Sequence, residues 1–242
     1  MKPNHLRLVG GSGEGPNIDS ITGGPPAERV AAAIRAGICP NERSFDRFLP
    51  YELRLVSHQH WTPLVVALRA AEWLDAAGAK TVVDIGSGAG KFCVAAALRG
   101  RCAFTGIEQR PRLVQAAGAL ARLFGVDDRV RFVQGSVSEC PLPEADAYYL
   151  YNPFGENLFG SDEHLDEDVE LSVARYRRDV ALVEAFFANA RLGTYVIKYN
   201  GFGGRMPSGY QRVRVDRETP SVLRMWRKVR ATASTASQGA AS

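Results

Sequence analysis

The chain has 242 residues, 45% of them hydrophobic, and carries a formal net charge of +4 at neutral pH. This length fits one large domain or two small ones with a sizeable core, and the mild positive charge permits a nucleic-acid partner without arguing for one. No run approaches 18 consecutive apolar residues and the amino terminus lacks the apolar middle of a secretory signal, so we expect no membrane span.

The predicted elements begin with a glycine-rich, polar segment over residues 1–20, which we expect to be flexible. A helical extension follows over about residues 21–78. Within it, Thr62 and Pro63 are typical of the cap and the first residue of a helix that ends near Gly78.

From residue 81 onward, short apolar strands alternate with helices. Strands are predicted over residues 81–85, 102–108, 130–134, 147–151 and 194–199, and helices over 91–98, 111–124 and 169–187. Two more strands, at 210–215 and 222–229, are typical of a closing antiparallel pair, and the low-complexity tail 231–242 is expected to be disordered. The alternation predicts one α/β domain over residues 21–230, with a doubly wound, mostly parallel sheet and helices on both faces. Ligands of such sheets bind at the carboxyl ends of the strands.

Two segments near the end of this domain carry opposite charge. Residues 156–170 hold seven acids and no Lys or Arg, whereas residues 205–230 hold eight bases and two acids. Both can be plain solvated surfaces. Alternatively, the first is an acidic rim that attracts a cationic substrate, or the second is a basic edge that meets an anionic partner.

The cysteines and histidines do not form a metal-binding pattern. The four cysteines are scattered and make no C-x-x-C pair, which argues against a zinc site or a disulfide framework and fits a reducing cytosol. His58 and His60 lie two residues apart, but no cysteine or acid cluster joins them. We therefore expect no metal and a cytoplasmic location.

The stretch VVDIGSGAGKF, which begins at residue 82, places Asp84 at the end of a predicted strand and three glycines directly after it. Glycines here let a ligand approach the backbone at a helix amino terminus. The spacing is G-x-G-x-G, and a carboxylate beside it would repel a pyrophosphate but attract an ammonium group. Glu108 ends the next strand, where an acid can accept both hydroxyls of a ribose.

This stretch, together with FTGIE at residues 104–108, resembles the first two motifs of class I S-adenosylmethionine-dependent methyltransferases, over roughly residues 58–200. The resemblance implies a Rossmann-like, seven-stranded sheet whose last strand is antiparallel, with S-adenosyl-L-methionine as the cofactor. It also implies that the residues after the third strand flank the adenine. We expect a cofactor site made of Thr62, Asp84, Gly86, Ser87, Gly88, Gly90, Glu108, Gln109, Ser136, Val137 and Asn152.

The acceptor site is expected at the end of the fourth strand. Asn152, Pro153 and Phe154 resemble the (N/D)-P-P-(Y/F) motif of methyltransferases that act on amino groups of adenine or on glutamine side chains, with one proline instead of two. The motif implies that the Asn oxygen and a Pro carbonyl accept the amine hydrogens while the aromatic ring stacks on the acceptor. These three residues are the predicted catalytic residues.

A second fragment, Gln59 to Pro63, resembles a segment of some DNA adenine methyltransferases in which the Thr contacts the methionine carboxylate. That role would fall to Thr62. An aromatic slot for an amine is a further hypothesis, formed by Tyr148, Tyr149, Tyr151 and Tyr199.

The sequence therefore predicts a methyltransferase whose favoured acceptor is a nitrogen on a protein side chain or a small molecule. The loop DIGSGAG is closer to protein lysine methyltransferases of the non-SET kind than to DNA enzymes, and 242 residues leave no room for a separate target-recognition domain. The adenine amine of a nucleic acid comes next. A non-catalytic module that binds the cofactor is the third alternative, and a nicotinamide-linked oxidoreductase is disfavoured by Asp84 and the loop spacing.

Overall fold

The structure is a computed structural model that describes residues 26–231. The segment predicted as a flexible amino terminus, 1–20, and all but the first residue of the predicted tail 231–242 lie outside this range. None of the helices in the described part of the chain is long and apolar enough to cross a bilayer.

Seven strands form one sheet in the spatial order β3-β2-β1-β4-β5-β7-β6. They are β1 Thr81–Ile85, β2 Ala103–Glu108, β3 Val130–Gln134, β4 Ala147–Tyr151, β5 Tyr195–Tyr199, β6 Tyr210–Asp216 and β7 Leu223–Lys228. The first five strands pair in parallel, whereas β7 is antiparallel to both β5 and β6. The predicted sheet with its closing antiparallel pair is confirmed.

Helices cover both faces of the sheet. The described helices are α1 Pro26–Arg35, α2 Glu42–Asp46, α3 Tyr51–Leu55, α4 Ser57–His60, α5 Leu64–Ala76, α6 Lys91–Arg99, α7 Pro111–Leu123 and α8 Val173–Asn189. Successive strand residues point to opposite faces, so Tyr149 lies in the larger core with α1, α5 and α6, and Tyr148 in a second core with α8. Because both faces are buried, the central strands β1 and β4 are mostly apolar and show no regular polar alternation, although β1 also contains the buried Asp84.

The start of α5 differs from the prediction. The helix begins at Leu64, and Thr62 does not cap it. The cap comes from Glu42, whose carboxylate accepts the Leu64 amide at 2.7 Å. A side chain 22 residues earlier therefore satisfies a helix terminus that local sequence assigned to Thr62.

The helices before α5 are joined to the start of α6 by a buried cation. Lys91 directly follows the glycine loop, is 2% exposed, and pairs with Glu42 at 2.5 Å and with Asp46 at 2.6 Å. Its ammonium also donates to the Ser57 hydroxyl at 3.2 Å. One lysine thus holds α2 and α4 against the segment that follows β1.

Candidate active site

A cavity of about 300 Å³ opens at the carboxyl ends of β1, β2, β4 and β5. This is where the order of a doubly wound sheet reverses and where ligands of such folds bind. Its lining includes seven of the predicted cofactor residues: Gly86, Gly88, Glu108, Gln109, Ser136, Val137 and Asn152. The predicted catalytic residues Pro153 and Phe154 also line it, whereas Thr62, Asp84, Ser87 and Gly90 do not.

The glycine loop is shaped by its neighbours as much as by its backbone. Gly86 and Gly88 have φ values of +77° and +54°, which glycine adopts without strain. A Cβ on Gly88 would lie 2.3 Å from the Trp61 ring, and one on Gly86 would lie 2.7 Å from Cβ of Pro153. Any side chain here would displace the walls of the cavity, so the bare backbone keeps the cavity open to a ligand.

Glu108 holds this loop in place. It is 6% exposed, and its Oε2 accepts the Gly88 amide at 3.0 Å while Oε1 accepts the Arg110 amide at 2.9 Å. Burial raises the pKa of this carboxyl, and the two amide hydrogen bonds oppose the rise. Each carboxylate oxygen keeps a second lone pair, so Glu108 can still accept hydroxyl donors from a ligand in the cavity.

Asp84 lies behind the loop, outside the cavity lining. It is 3% exposed and accepts the Cys93 thiol at 3.4 Å. Burial raises the pKa of Asp84 to about 7, the charge of Glu108 adds to the rise, and the thiol hydrogen bond opposes it. The direct contact with a ligand ammonium that the sequence predicts therefore has no counterpart in the lining of this cavity.

Three other predicted cofactor residues have protein partners. The Thr62 hydroxyl lies 3.0 Å from the Tyr149 hydroxyl, with Thr62 buried. The Ser136 hydroxyl donates to the Glu139 carboxylate at 2.8 Å. Gln109 accepts a hydrogen bond from the Arg175 guanidinium, which also lines the cavity. Neither Glu139 nor Arg175 was among the residues predicted from the sequence.

Asn152 lines the side of the cavity next to the end of β4, which we call the acceptor end after the role predicted from the sequence. Its backbone conformation is left-handed, with φ +41°. Its amide donates to the Gly201 carbonyl at 2.9 Å, which ties the end of β4 to the loop after β5. Its side chain is exposed and has no hydrogen-bond partner among residues 26–231. A Cβ on Gly155 would lie 2.1 Å from the Asn152 side-chain nitrogen, so glycine at 155 leaves room for the amide.

The aromatic residues around the acceptor end divide between the cavity and the core. Phe154 is 7% exposed and belongs to the second core, although one side of the residue lines the cavity. Of the predicted tyrosine slot, only Tyr151 lines the cavity. The other three tyrosines, Tyr148, Tyr149 and Tyr199, are buried in the two cores. Trp61 and Phe159, which were not predicted as site residues, complete the aromatic wall.

An acid-rich segment closes the cavity on the side of β2. We call residues 155–172 the acidic strap. Arg110 is 4% exposed in its side chain and forms a two-pronged ion pair with Glu156, at 2.9 and 3.0 Å, and a third contact with Asp166 at 2.7 Å. Arg112 also pairs with Asp166. Glu156 and Asp166 are thus neutralised by Arg110, which precedes α7, and by Arg112 in the first turn of α7, and Asp168 lies 3.8 Å from Arg112.

No three His, Cys, Asp or Glu side chains among residues 26–231 are grouped so that they could hold a metal ion. The four cysteines form no disulfide. His60 lines the cavity, and burial together with the nearby Arg110 and His58 charges lowers its pKa, against an opposing effect of Glu156.

Comparisons with known proteins agree with this fold. Residues 77–151 match a family model described as a methyltransferase domain. No curated protein matches the chain. An RNA methyltransferase from Salinibacter ruber, solved with S-adenosyl-L-homocysteine, superposes with a TM-score of 0.52 at 23% identity, over 73% of this chain and 99% of its own.

Two other solved structures show the same fold. The mitomycin 7-O-methyltransferase MmcR superposes with a TM-score of 0.52 at 16% identity, over 84% of this chain. A protein solved from Nostoc punctiforme superposes with a TM-score of 0.51 at 15% identity, over 77% of this chain. The chain spans 60% of the length of each. At these identities the likeness concerns the fold, and the acceptor must be argued from the cavity.

Proposed function

We propose that this chain, a class I S-adenosylmethionine-dependent methyltransferase by its fold and its methyltransferase-domain match, transfers the methyl group to a nitrogen atom. The observation that carries the proposal is the Asn152 side chain, which lines the acceptor end of the cavity and has no hydrogen-bond partner within residues 26–231. A free amide oxygen accepts an N–H without removing its proton.

The cavity residues fit the cofactor. Glycines 86 and 88 leave space that a Cβ would fill, and Glu108 keeps lone pairs for the hydroxyls of a ribose. Ser136 and Val137 would flank the adenine, and Gln109 would follow Glu108 along the ribose. When bound, S-adenosylmethionine supplies an electrophilic methyl group on a sulfonium.

The role of Asn152 in the reaction is orientation. Its oxygen would accept one hydrogen of the acceptor amine and so direct the nitrogen lone pair toward the methyl group, while Tyr151 and Phe154 bound the acceptor on its sides. Positioning of this kind accounts for most of the catalysis in an in-line displacement. The proton released from the nitrogen would pass to solvent at the exposed mouth, or to His60, whose lowered pKa keeps the ring neutral near pH 7.

Two carriers of the nitrogen fit the cavity itself. An amine of a protein side chain or small molecule is one, and the exocyclic amine of a nucleic-acid base is the other. The sequence favours the first through its glycine loop. The surface beside the cavity favours the second, as developed in the next subsection. A cytoplasmic location is part of the same proposal, and it is supported by the four free cysteines, which suit a reducing compartment.

The proposal is tested with Asn152→Gly, because glycine accepts the left-handed backbone and removes only the amide. We expect an unchanged affinity for S-adenosyl-L-homocysteine in calorimetry and a fall in kcat of about 10²–10³, by analogy with the loss of one transition-state hydrogen bond. Asn152→Asp keeps an acceptor oxygen and should retain more activity. Methylated acceptors would come from labelled-methyl transfer into fractionated extracts of the source organism.

Asn200→Gly is the matched control. Asn200 is the other described non-glycine residue with positive φ, +56°, and stands at the end of the neighbouring strand, but its side-chain oxygen already accepts from the Ser221 hydroxyl at 2.6 Å. Its loss should reduce kcat less than tenfold. If the label enters oxygen or sulfur, or Asn152→Gly keeps full kcat, the nitrogen-directed reaction is wrong.

A further inference from the structure

The antiparallel part of the sheet, formed by β5, β7 and β6, carries a row of cations on one face. Lys198 of β5 lies opposite Arg224 of β7, and Arg212 of β6 lies opposite Trp226 of β7. Residues two apart on a strand share a face, so Arg224 and Trp226 point the same way, together with Lys198 and Arg212. We call Lys198, Arg212 and Arg224 the cationic face.

These cations have no acidic partner. Within residues 26–231, none of the three lies within 4.0 Å of a carboxylate, and none has a contact that is left undescribed. Glu184 is the acid whose charge reaches Lys198, and Glu218 lies in the exposed turn between β6 and β7. Burial lowers the pKa of Lys198, the neighbouring charge of Arg224 lowers it further, and Glu184 opposes both. Lys198 and Arg224 repel each other, and an anion bound beside them would reduce this repulsion.

Aromatic rings contact two of these cations, Lys198 and Arg212. The Lys198 ammonium lies 5.0 Å from the centroid of the Phe202 ring and 5.8 Å from that of Trp226, and the Arg212 guanidinium lies 6.0 Å from Trp226. Cation–π contacts of this kind attract a cation without neutralising its charge. These two side chains are therefore partly ordered before any ligand binds, which lowers the entropic cost of binding.

The cationic face lies beside the acceptor end of the cavity. Lys198 is two residues before Asn200, which lines the cavity. Asn200 is bonded to Ser221, three residues before Arg224. A partner lying along the cationic face would thus run past the mouth at which Asn152 is exposed.

We propose that the cationic face binds the phosphates of a single-stranded nucleic acid, and that this strand carries the acceptor nitrogen. Arginine matches phosphate with paired N–H donors, and partly exposed Trp226 among the cations suits a strand whose bases are unstacked. Exposed Arg205 and Arg217 continue the positive charge around the same end of the sheet. The inference rests on the proposed function only in naming the bound strand as the carrier of the acceptor.

The test measures binding, without any transfer. A fluorescein-labelled, 20-nucleotide single-stranded RNA of mixed sequence is titrated with the full-length protein, and anisotropy is followed from 50 to 300 mM salt. The wild-type affinity should fall with salt with a slope of about −0.7 per phosphate contact. Arg212→Gln with Arg224→Gln should flatten that slope by about 1.4 and weaken binding at 50 mM salt by about tenfold or more.

Arg101→Gln is the control, and it is compared with Arg212→Gln alone, because each of these single variants removes one positive charge. Arg101 precedes β2 at the opposite end of the sheet, with a side chain 87% exposed. The Arg101→Gln variant should bind RNA with the affinity and the salt slope of the wild type. S-adenosyl-L-homocysteine calorimetry on each variant reports folding, because the cationic face does not line the cavity.

Three outcomes overturn the inference. One is binding by the double variant with wild-type affinity and slope. Another is a loss of RNA affinity in Arg101→Gln equal to that in Arg212→Gln, which would mean that binding depends on overall charge and not on this face. The last is a polyglutamate peptide of matched charge that binds as tightly as the RNA, which would assign the face to an acidic protein.

Failure of this inference and failure of the proposed function are distinguishable. If RNA binds through Arg212 and Arg224 but no nitrogen on it is methylated, the surface stands and the acceptor assignment falls. If a protein amine or a small molecule is methylated with dependence on Asn152 while RNA does not bind, the reaction stands and this inference falls.

Discussion

The acidic strap and the cationic face flank the same cavity, yet they use their charges in opposite ways. In the strap, Glu156 and Asp166 are bound by Arg110, which is almost fully buried. On the cationic face, Lys198, Arg212 and Arg224 have no acidic partner within residues 26–231. The strap's charges fasten one segment of the chain to another, whereas the charges of the face remain available to a partner.

This difference cannot be seen in a count of charges. Seven acids in 15 residues and eight bases in 26 look equally exposed in the sequence. What separates them is whether opposite charges from elsewhere in the fold meet them. The acidic rim and the basic edge were both open hypotheses, and the geometry weakens the first by neutralising its two innermost acids. The basic edge gains support from Arg212 and Arg224, which have no acidic partner within residues 26–231.

The largest expected effect comes from breaking the strap. Arg110→Met would leave Glu156 and Asp166 without their buried partner. Removing one member of a buried ion pair costs about 3–5 kcal/mol, and because both carboxylates keep some exposure we expect the low end, about 3 kcal/mol. Urea denaturation would measure the loss, and limited proteolysis should show new cleavage within residues 155–172.

Arg112→Met is the matched control for that change. Arg112 also pairs with Asp166, but its side chain is 36% exposed, so its loss should cost less than about 1 kcal/mol. If Arg110→Met unfolds at the same urea concentration as the wild type, the strap is not held by its ion pairs and its contrast with the cationic face disappears.

A smaller effect on stability is expected when the pH is lowered. Burial alone would raise the pKa of Asp166, but hydrogen bonds from Arg110 and Arg112 outweigh it and hold the pKa below its ordinary value. A depressed carboxyl pKa adds stability above the unfolded value of about 4, and that stability is lost as the pH falls through the folded value. The wild type should therefore be more stable than Asp166→Asn at pH 6, and the two should converge below about pH 4. Urea midpoints at several pH values measure this, and a constant difference would contradict it.

The smallest effect is expected from the outer acids of the strap. Glu163 and Glu167 are exposed, and Glu163→Gln with Glu167→Gln should change stability by less than about 0.5 kcal/mol. Transfer activity should also stay as in the wild type if these acids are a solvated surface. A marked loss of activity toward a cationic acceptor would support the acidic-rim hypothesis and would contradict the contrast between the strap and the cationic face.

The sequence predicts the fold well where the signal is local. The bounds of β1, β3 and β4 agree with the prediction, because each is a short run rich in β-branched or aromatic residues between turn residues. The prediction for the first turn of α5 was wrong, because the side chain that caps it, Glu42, comes from a distant part of the chain. The helix predicted from residue 169 begins at Val173, because Ser172 caps it by accepting the Arg175 amide.

The site is predicted in part, for a related reason. Motifs after strands indicate which residues reach the cavity, so Gly86, Gly88, Glu108 and Asn152 line it. Motifs do not indicate which way a buried side chain turns. Phe154 belongs to the second core with only part of its surface on the cavity. The pairing of Arg110 with Glu156 joins residues 46 apart, and no periodicity in the sequence reports such a contact.

The double use of Glu42 bears on where this chain can be cut. The family match begins at residue 77, which suggests that the segment before it is an attachment to a self-sufficient unit. Yet one carboxylate in that segment both caps the start of the helix before β1 and neutralises the lysine that follows the glycine loop. A fragment that starts after residue 60 would carry Lys91 without its counter-ions and α5 without its cap. For engineering, the smallest portable unit therefore begins upstream of residue 42, well outside the region that sequence matching delimits.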